Sequence, residues 1–191
     1  MRQFFAVMVA VLGLGIMASA QVPTGGNIFL GYSYFNADTN VSNRATLNGW
    51  NGSLEGKVFP FVGIVADVGG YYGRQQLPAA VCTGVIGSTC TANGFDTKTY
   101  TAMFGPRVSF SVGKLRPFAN VLVGVGHTSG TLTGFSGSSS DTSLADAFGG
   151  GIDYHLIPLI AWRLEADEVQ TRFFSATQNN LRISTGIVFH F

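Results

Sequence analysis

Residues 160–167 read Ile160-Ala161-Trp162-Arg163-Leu164-Glu165-Ala166-Asp167. Ile160, Trp162, Leu164 and Ala166 fall on one parity, and Arg163, Glu165 and Asp167 on the other. A period of two belongs to a β-strand, whose successive side chains point to opposite faces. One face of this strand suits hydrocarbon and the other carries charge. The C-terminal residues repeat the pattern, with Leu181, Ile183, Thr185, Ile187, Phe189 and Phe191 set against Arg182, Ser184, Gly186 and His190. In the middle of the chain Trp50, Leu54 and Val58 oppose Asn51, Ser53, Glu55 and Lys57, and Val62, Ile64, Ala66 and Val68 oppose Asp67.

Working outward, the chain after residue 20 divides into runs of this kind separated by Gly, Asn, Ser and Thr clusters, with no sustained helical period. Eight strands are expected, at about 27–35, 49–58, 62–73, 98–110, 116–127, 144–154, 160–169 and 180–191. Most are near the roughly 9 to 11 residues that a tilted strand needs to cross a bilayer. Alternation alone does not exclude a soluble sandwich. The connections separate the two. Long polar links (36–48, 74–97, 128–143 and 170–179) alternate strictly with short ones (59–61, 111–115 and 155–159). A barrel with long loops on one side of a membrane and tight turns on the other produces that rhythm. The fold expected is all-β, an eight-stranded antiparallel up-and-down transmembrane β-barrel.

Aromatic residues gather near strand ends: Tyr32, Tyr34, Trp50, Tyr72 and Tyr100 toward the long loops, Phe59, Phe61, Phe110, Tyr154 and Phe189 toward the turns. These are positions for interfacial girdles. Pro106 conflicts with a closed ladder because proline has no N–H to donate, so a bulge or a missing bond is expected there.

Composition agrees with an exported, membrane-embedded chain: 46% of 191 residues are hydrophobic and 11% charged. Arg2, the apolar run Phe4 to Met17 and the small-x-small site Ala18-Ser19-Ala20 predict a signal peptide at 1–20, leaving residues 21–191 as the barrel. That run is shorter than the roughly 20 residues of a spanning helix. Without Arg2 the eleven basic residues become ten against ten acidic, so no electrostatic steering of nucleic acid is expected. Cys82 and Cys90 lie close together in a chain bound for an oxidising compartment, where a disulfide is the expected state.

The lumen side of the strands collects the chemistry: Glu55, Lys57, Asp67, Arg107, Asp153, Arg163, Glu165, Asp167, Arg182 and His190. Eight strands leave an interior that side chains just fill, so these predict a packed network of ion pairs rather than a water-wide channel. Arg107 is expected to pair with carboxylates such as Glu55, Asp67 or Glu165. Glu165 and Asp167 as a catalytic carboxylate pair need no more than partners to be explained. Cys82 and Cys90 lack nearby histidines for a metal site, and no Gly-rich strand-to-helix turn suits a nucleotide. No catalytic set, cofactor or metal is expected.

The chain resembles the OmpA-like outer-membrane β-barrel superfamily, particularly its small single-barrel members. The resemblance runs over essentially all of 21–191 through Gly31-Tyr32-Ser33-Tyr34-Phe35, Phe104-Gly105-Pro106-Arg107, Arg116-Pro117-Phe118, Gln178-Asn179-Asn180-Leu181-Arg182 and Gly186-Ile187-Val188-Phe189-His190-Phe191. It implies residence in the bacterial outer membrane, contact with its lipid, and passage through the periplasm. It also implies that Phe191, with Ile187 and Phe189 before it, is the signal read by the barrel-assembly machinery. As a small single-barrel member it is expected to lack the peptidoglycan-binding domain of full-length OmpA-type proteins. The function implied is a structural or surface-interaction barrel with an unknown extracellular ligand at its loops. A small pore is the alternative and a lipid A-modifying barrel enzyme a third. For the last, His127-Thr128-Ser129 is similar to the His-x-Ser pair of the outer-membrane lipid A deacylases, with Gly130 where that family has Asn.

Overall fold

The computed structural model describes residues 25–37, 44–76, 94–132, 138–173 and 177–191. Eight strands run in sequence order: β1 Gly26–Ala37, β2 Ala45–Phe59, β3 Val62–Gln76, β4 Gly94–Ser109, β5 Leu115–Leu132, β6 Ser138–Ile157, β7 Ile160–Thr171 and β8 Gln178–His190. Each pairs antiparallel with its chain neighbours, and β1 returns to β8 to close the barrel, from Asn27↔His190 to Asn36↔Leu181. Closure satisfies every strand edge within the bilayer, where no water can do so.

The period-two pattern is laid out as two faces. Ile28, Leu30, Leu54, Ile64, Phe104, Val121, Val123, Phe148, Ile152, Leu164, Ile183 and Ile187 are all exposed on the outside. Keeping such side chains out of water is worth roughly 25 cal/mol per Å² of apolar surface, and here only lipid can cover them. Tyr32, Trp50, Tyr72 and Tyr100 stand exposed toward the loop side, with Tyr72 Oη donating to Tyr100 Oη at 3.3 Å. Phe59, Phe61, Phe110, Tyr154 and Phe189 stand exposed toward the turns.

Several strands outrun their expected ends. The Ser/Gly/Thr-rich segment 128–143, expected as loop, is mostly ladder: β5 and β6 pair through Thr128↔Asp141 to Thr131↔Ser138. Threonine is β-branched and favours extended backbone. The segment also keeps the parity of the strands it continues, and polarity marks it as lying outside the membrane, not as irregular. The link 36–48 shrinks likewise, because Ala45–Asn48 pair with Phe35, Asn36, Ala37 and Tyr34.

Two local details position the interior. The β4–β5 ladder skips Gly105 and Pro106 between Phe104↔Val123 and Arg107↔Asn120, with no change of register. The proline therefore costs a bond without turning Arg107 to the other face. At Gly63, a Cβ would stand 2.7 Å from Glu55 Oε1, so the bare backbone makes room for that carboxylate. Register shifts at Lys57/Phe59 and His155/Ile157 mark the tight β2–β3 and β6–β7 turns, and Gly113 takes φ 61° in the β4–β5 turn.

Candidate functional site in the lumen

The charged residues of the inner face meet in a continuous network. Nearest the turns, Glu55 on β2 accepts from Arg116 Nη2 at 3.0 Å and from Asn27 Nδ2 at 2.8 Å. Arg107 Nη1 lies 3.6 Å from the same carboxylate. In the middle, Arg107 Nη2 donates to Glu165 Oε1 at 2.9 Å, and Asn120 Nδ2 donates to that oxygen at 2.7 Å. Arg163 grips Asp153 through Nε and Nη2, at 2.6 and 2.9 Å, the bidentate fork that suits a guanidinium to a carboxylate. The Phe118 ring lies between two cations, 4.2 Å from Arg107 Cζ and 4.6 Å from Arg163 Cζ. Toward the loops, Arg182 donates to Asp67 Oδ1 at 2.7 Å and to Asp167 Oδ2 at 2.7 and 3.0 Å, while Asn51 holds Asp67 Oδ2 at 3.0 Å.

Arg107 thus meets Glu165 and Glu55, whereas Asp67 serves Arg182. Lys57 is half-buried at the turn-side rim, where it donates to Ser109 Oγ at 3.1 Å and to the Pro60 carbonyl at 3.3 Å. His190 is half-buried there too, its ring stacked 4.8 Å from His155 and its Nε2 3.2 Å from Arg116 Nη1. Arg116 is the member that sequence reading omitted. The signal was available: Arg116, Phe118, Asn120 and Leu122 share the parity opposite to exposed Val121 and Val123.

The second omission is an apolar cap. Phe35, Leu47, Val65, Tyr71, Met103, Leu122, Ala145, Ala147 and Val169 form one buried cluster inside the barrel. Phe35 sits opposite Arg182 in the β1–β8 ladder and stacks on Tyr71 at 4.5 Å, so the cap begins where the ion pairs stop. Phe173, just past β7, is also buried, its ring standing 3.0 Å from where a Cβ of Gly126 would be. The lumen is therefore polar only in part. Buried inside are four arginines (Arg107, Arg116, Arg163, Arg182) and five carboxylates (Glu55, Asp67, Asp153, Glu165, Asp167), so neither sign dominates.

His127 and Ser129 fall on the outer face of β5, and His127 Nδ1 lies 2.7 Å from Thr142 Oγ1, a hydroxyl where a catalytic triad needs a carboxylate. Among the described residues no three His, Cys, Asp or Glu side chains gather as a metal site. Cys82 and Cys90 lie outside the described residues.

A closed antiparallel barrel with lipid-facing apolar strands and a charge-packed interior defines a small membrane-spanning β-barrel of the outer-membrane class. The chain belongs to the family described as outer membrane protein beta-barrel domain, whose profile matches residues 6–191, and its place is the Gram-negative outer membrane. No curated protein sequence matches it. Among solved structures it is similar to Ail, the attachment invasion locus protein of Yersinia pestis, with 17% identity and a TM-score of 0.58 over 86% of this chain and 98% of that one. It is similar to Neisserial surface protein A, with 11% identity and a TM-score of 0.64 over 86% and 96% of the two chains. The outer membrane protein OprG of Pseudomonas aeruginosa gives 11% identity and a TM-score of 0.56 over 87% and 95%. At these identities the likeness is one of fold.

Proposed function

We propose that this protein is a closed, non-catalytic barrel that anchors extracellular strands and loops for contacts at the cell surface. The observation that carries the reading is the interior of paired charges and its apolar cap. Among the described residues, any ion path would have to break neutralised arginine–carboxylate pairs and then pass the buried Phe35–Tyr71–Leu122 cluster, with no dominant charge sign to select an ion. The surface-contact half of the reading draws support from the tall β5–β6 hairpin and from Ail, a barrel of like fold that has been crystallised with the heparin analogue sucrose octasulfate.

Planar-bilayer recording on the refolded protein tests the closure. No discrete conductance steps are expected above the bare-bilayer level. Reproducible ohmic steps from the unaltered protein would instead make it a small pore.

Export completes the proposal, with residues 1–20 as a cleaved leader and the C-terminal Ile187, Phe189 and Phe191 as the assembly signal. Intact-mass measurement on protein extracted from outer membranes should give Gln21, or its cyclised form, as the first residue. A mature chain that retains Met1 contradicts the cleavage.

A further inference from the structure

Three cationic donors converge on one hydroxyl at the turn-side mouth of the lumen. Ser109 Oγ accepts from Lys57 Nζ at 3.1 Å and from Arg116 Nε and Nη2 at 3.2 and 2.9 Å. A serine oxygen has two lone pairs, so these charged N–H groups share too little acceptor. A further donor stands beside them. Arg116 Nη1 can only donate, so at 3.2 Å it makes His190 Nε2 the acceptor and leaves the ring proton on Nδ1. That Nδ1 is buried and has no hydrogen-bond partner among the described residues.

The charges of the lumen show the same excess. Arg107, Arg116 and Arg163 are joined by ion pairs to Glu55, Asp153 and Glu165, three against three. Lys57 adds a cation at this end, whereas Arg182 faces both Asp67 and Asp167 at the other. The interior is therefore neutral only over its whole length, and its turn-side mouth keeps a positive charge. Among the described residues no carboxylate forms an ion pair with Lys57, because Glu55, on the same face of β2, is taken up by Arg116, Arg107 and Asn27. Residues 1–24, which precede the Gly25 carbonyl that bonds the Lys57 N–H, contain no Asp or Glu.

We propose that Lys57, Arg116 and His190 form a site for a phosphate group at the turn-side mouth of the lumen. A tetrahedral oxyanion presents acceptors in several directions at once, which one hydroxyl oxygen does not. Inorganic phosphate and a phospholipid headgroup offer the same chemistry, and the surroundings favour the second. Phe59, Phe61, Phe110, Leu115, Leu156 and Leu159 are exposed around this end of the barrel, a girdle that seats the mouth at headgroup level in the periplasmic leaflet.

The test follows the ring resonances of the three histidines in the barrel refolded in a nonionic detergent, at fixed pH and ionic strength. The probes are inorganic phosphate and dihexanoyl phosphatidate, a water-soluble phospholipid. Both should shift the stacked His155 and His190 saturably and leave His127, on the outer face toward the loops, unmoved. Lys57→Gln should weaken binding by about tenfold or more, the loss of one charge-assisted hydrogen bond, and Lys57→Arg should retain most of it. Trimethyl phosphate, the neutral triester of like shape, should give no shift with the unaltered barrel, an arm that depends on no variant. Tighter binding of the phosphatidate than of inorganic phosphate assigns the site to lipid, and binding no tighter assigns it to the free ion. The proposal is overturned by any of four results: no saturable shift with either probe, His127 moving as far as the other two, an equal response to trimethyl phosphate, or unchanged binding to a folded Lys57→Gln barrel.

Discussion

Arg182→Ala is expected to lower the stability of the refolded barrel by about 3 to 5 kcal/mol, a range typical for removing one partner of a buried ion pair. Arg182 is fully buried and is shared by two carboxylates, Asp67 and Asp167, each 2.7 Å away. Removing it leaves two anions side by side with Asn51 and little else to hold them. The measurement is the urea midpoint of the folded, heat-modifiable form in detergent. Arg74→Ala serves as the contrast, because the Arg74–Asp96 pair lies exposed beyond the membrane and is screened by water. Neutralising the whole group, Arg182→Met with Asp67→Asn and Asp167→Asn, should recover much of the loss, since a buried triad contributes little net stability over apolar or neutral groups of similar volume. A midpoint for Arg182→Ala as close to the parent as that of Arg74→Ala would mean that water reaches this tier of the lumen.

Phe191→Ala is expected to leave refolding in detergent nearly intact and to reduce accumulation in the outer membrane of cells several-fold. The Phe191 side chain is 63% exposed, so truncating it forfeits less than the roughly 1.5 kcal/mol lower bound for fully burying such a group. Its backbone is another matter. Phe191 N–H donates to the Gly26 carbonyl at 3.1 Å, and the Gly26 N–H donates to the Phe191 carbonyl at 2.8 Å, tying the start of β1 to the residue that follows β8. Substitution preserves that clasp where deletion would break it, so alanine isolates the role of the ring. Outer-membrane levels equal to the parent at matched expression would leave Phe191 as an interfacial aromatic and end its proposed part in assembly.

Closure and exposure divide between different parts of the same strands. Below Thr171 the eight strands close on one another, with the β4–β5 ladder interrupted at Gly105 and Pro106, and the ion pairs from Glu55 to Arg182 lie inside. Above it β5 and β6 continue to pair with each other, from Thr128↔Asp141 to Thr131↔Ser138. The closed part carries the long β5–β6 hairpin, so the surface contacts proposed for this protein draw on strand length as well as on its loops.

The barrel was legible in the amino-acid sequence because a membrane makes the two faces of a strand chemically opposite. Ile160, Trp162 and Leu164 against Arg163, Glu165 and Asp167 set the parity of β7 unaided, and the alternation of long and short links set the topology. Parity also assigned Glu55, Asp67, Arg107 and Arg182 to the interior, since side-chain direction is a property of the strand itself. Which guanidinium meets which carboxylate is not such a property. Arg182 and Asp67 are 115 residues apart and belong to strands that are not neighbours, so their contact depends on barrel stagger, just as the place of Glu55 depends on the space left by Gly63. The apolar cap arose the same way: Phe35, Leu47, Tyr71 and Leu122 read as ordinary strand residues until closure brings them together across the lumen. Strand ends above the membrane were decided by pairing alone, because Ser, Thr and Gly are equally at home in a loop and in a solvated ladder, and only a partner strand distinguishes the two.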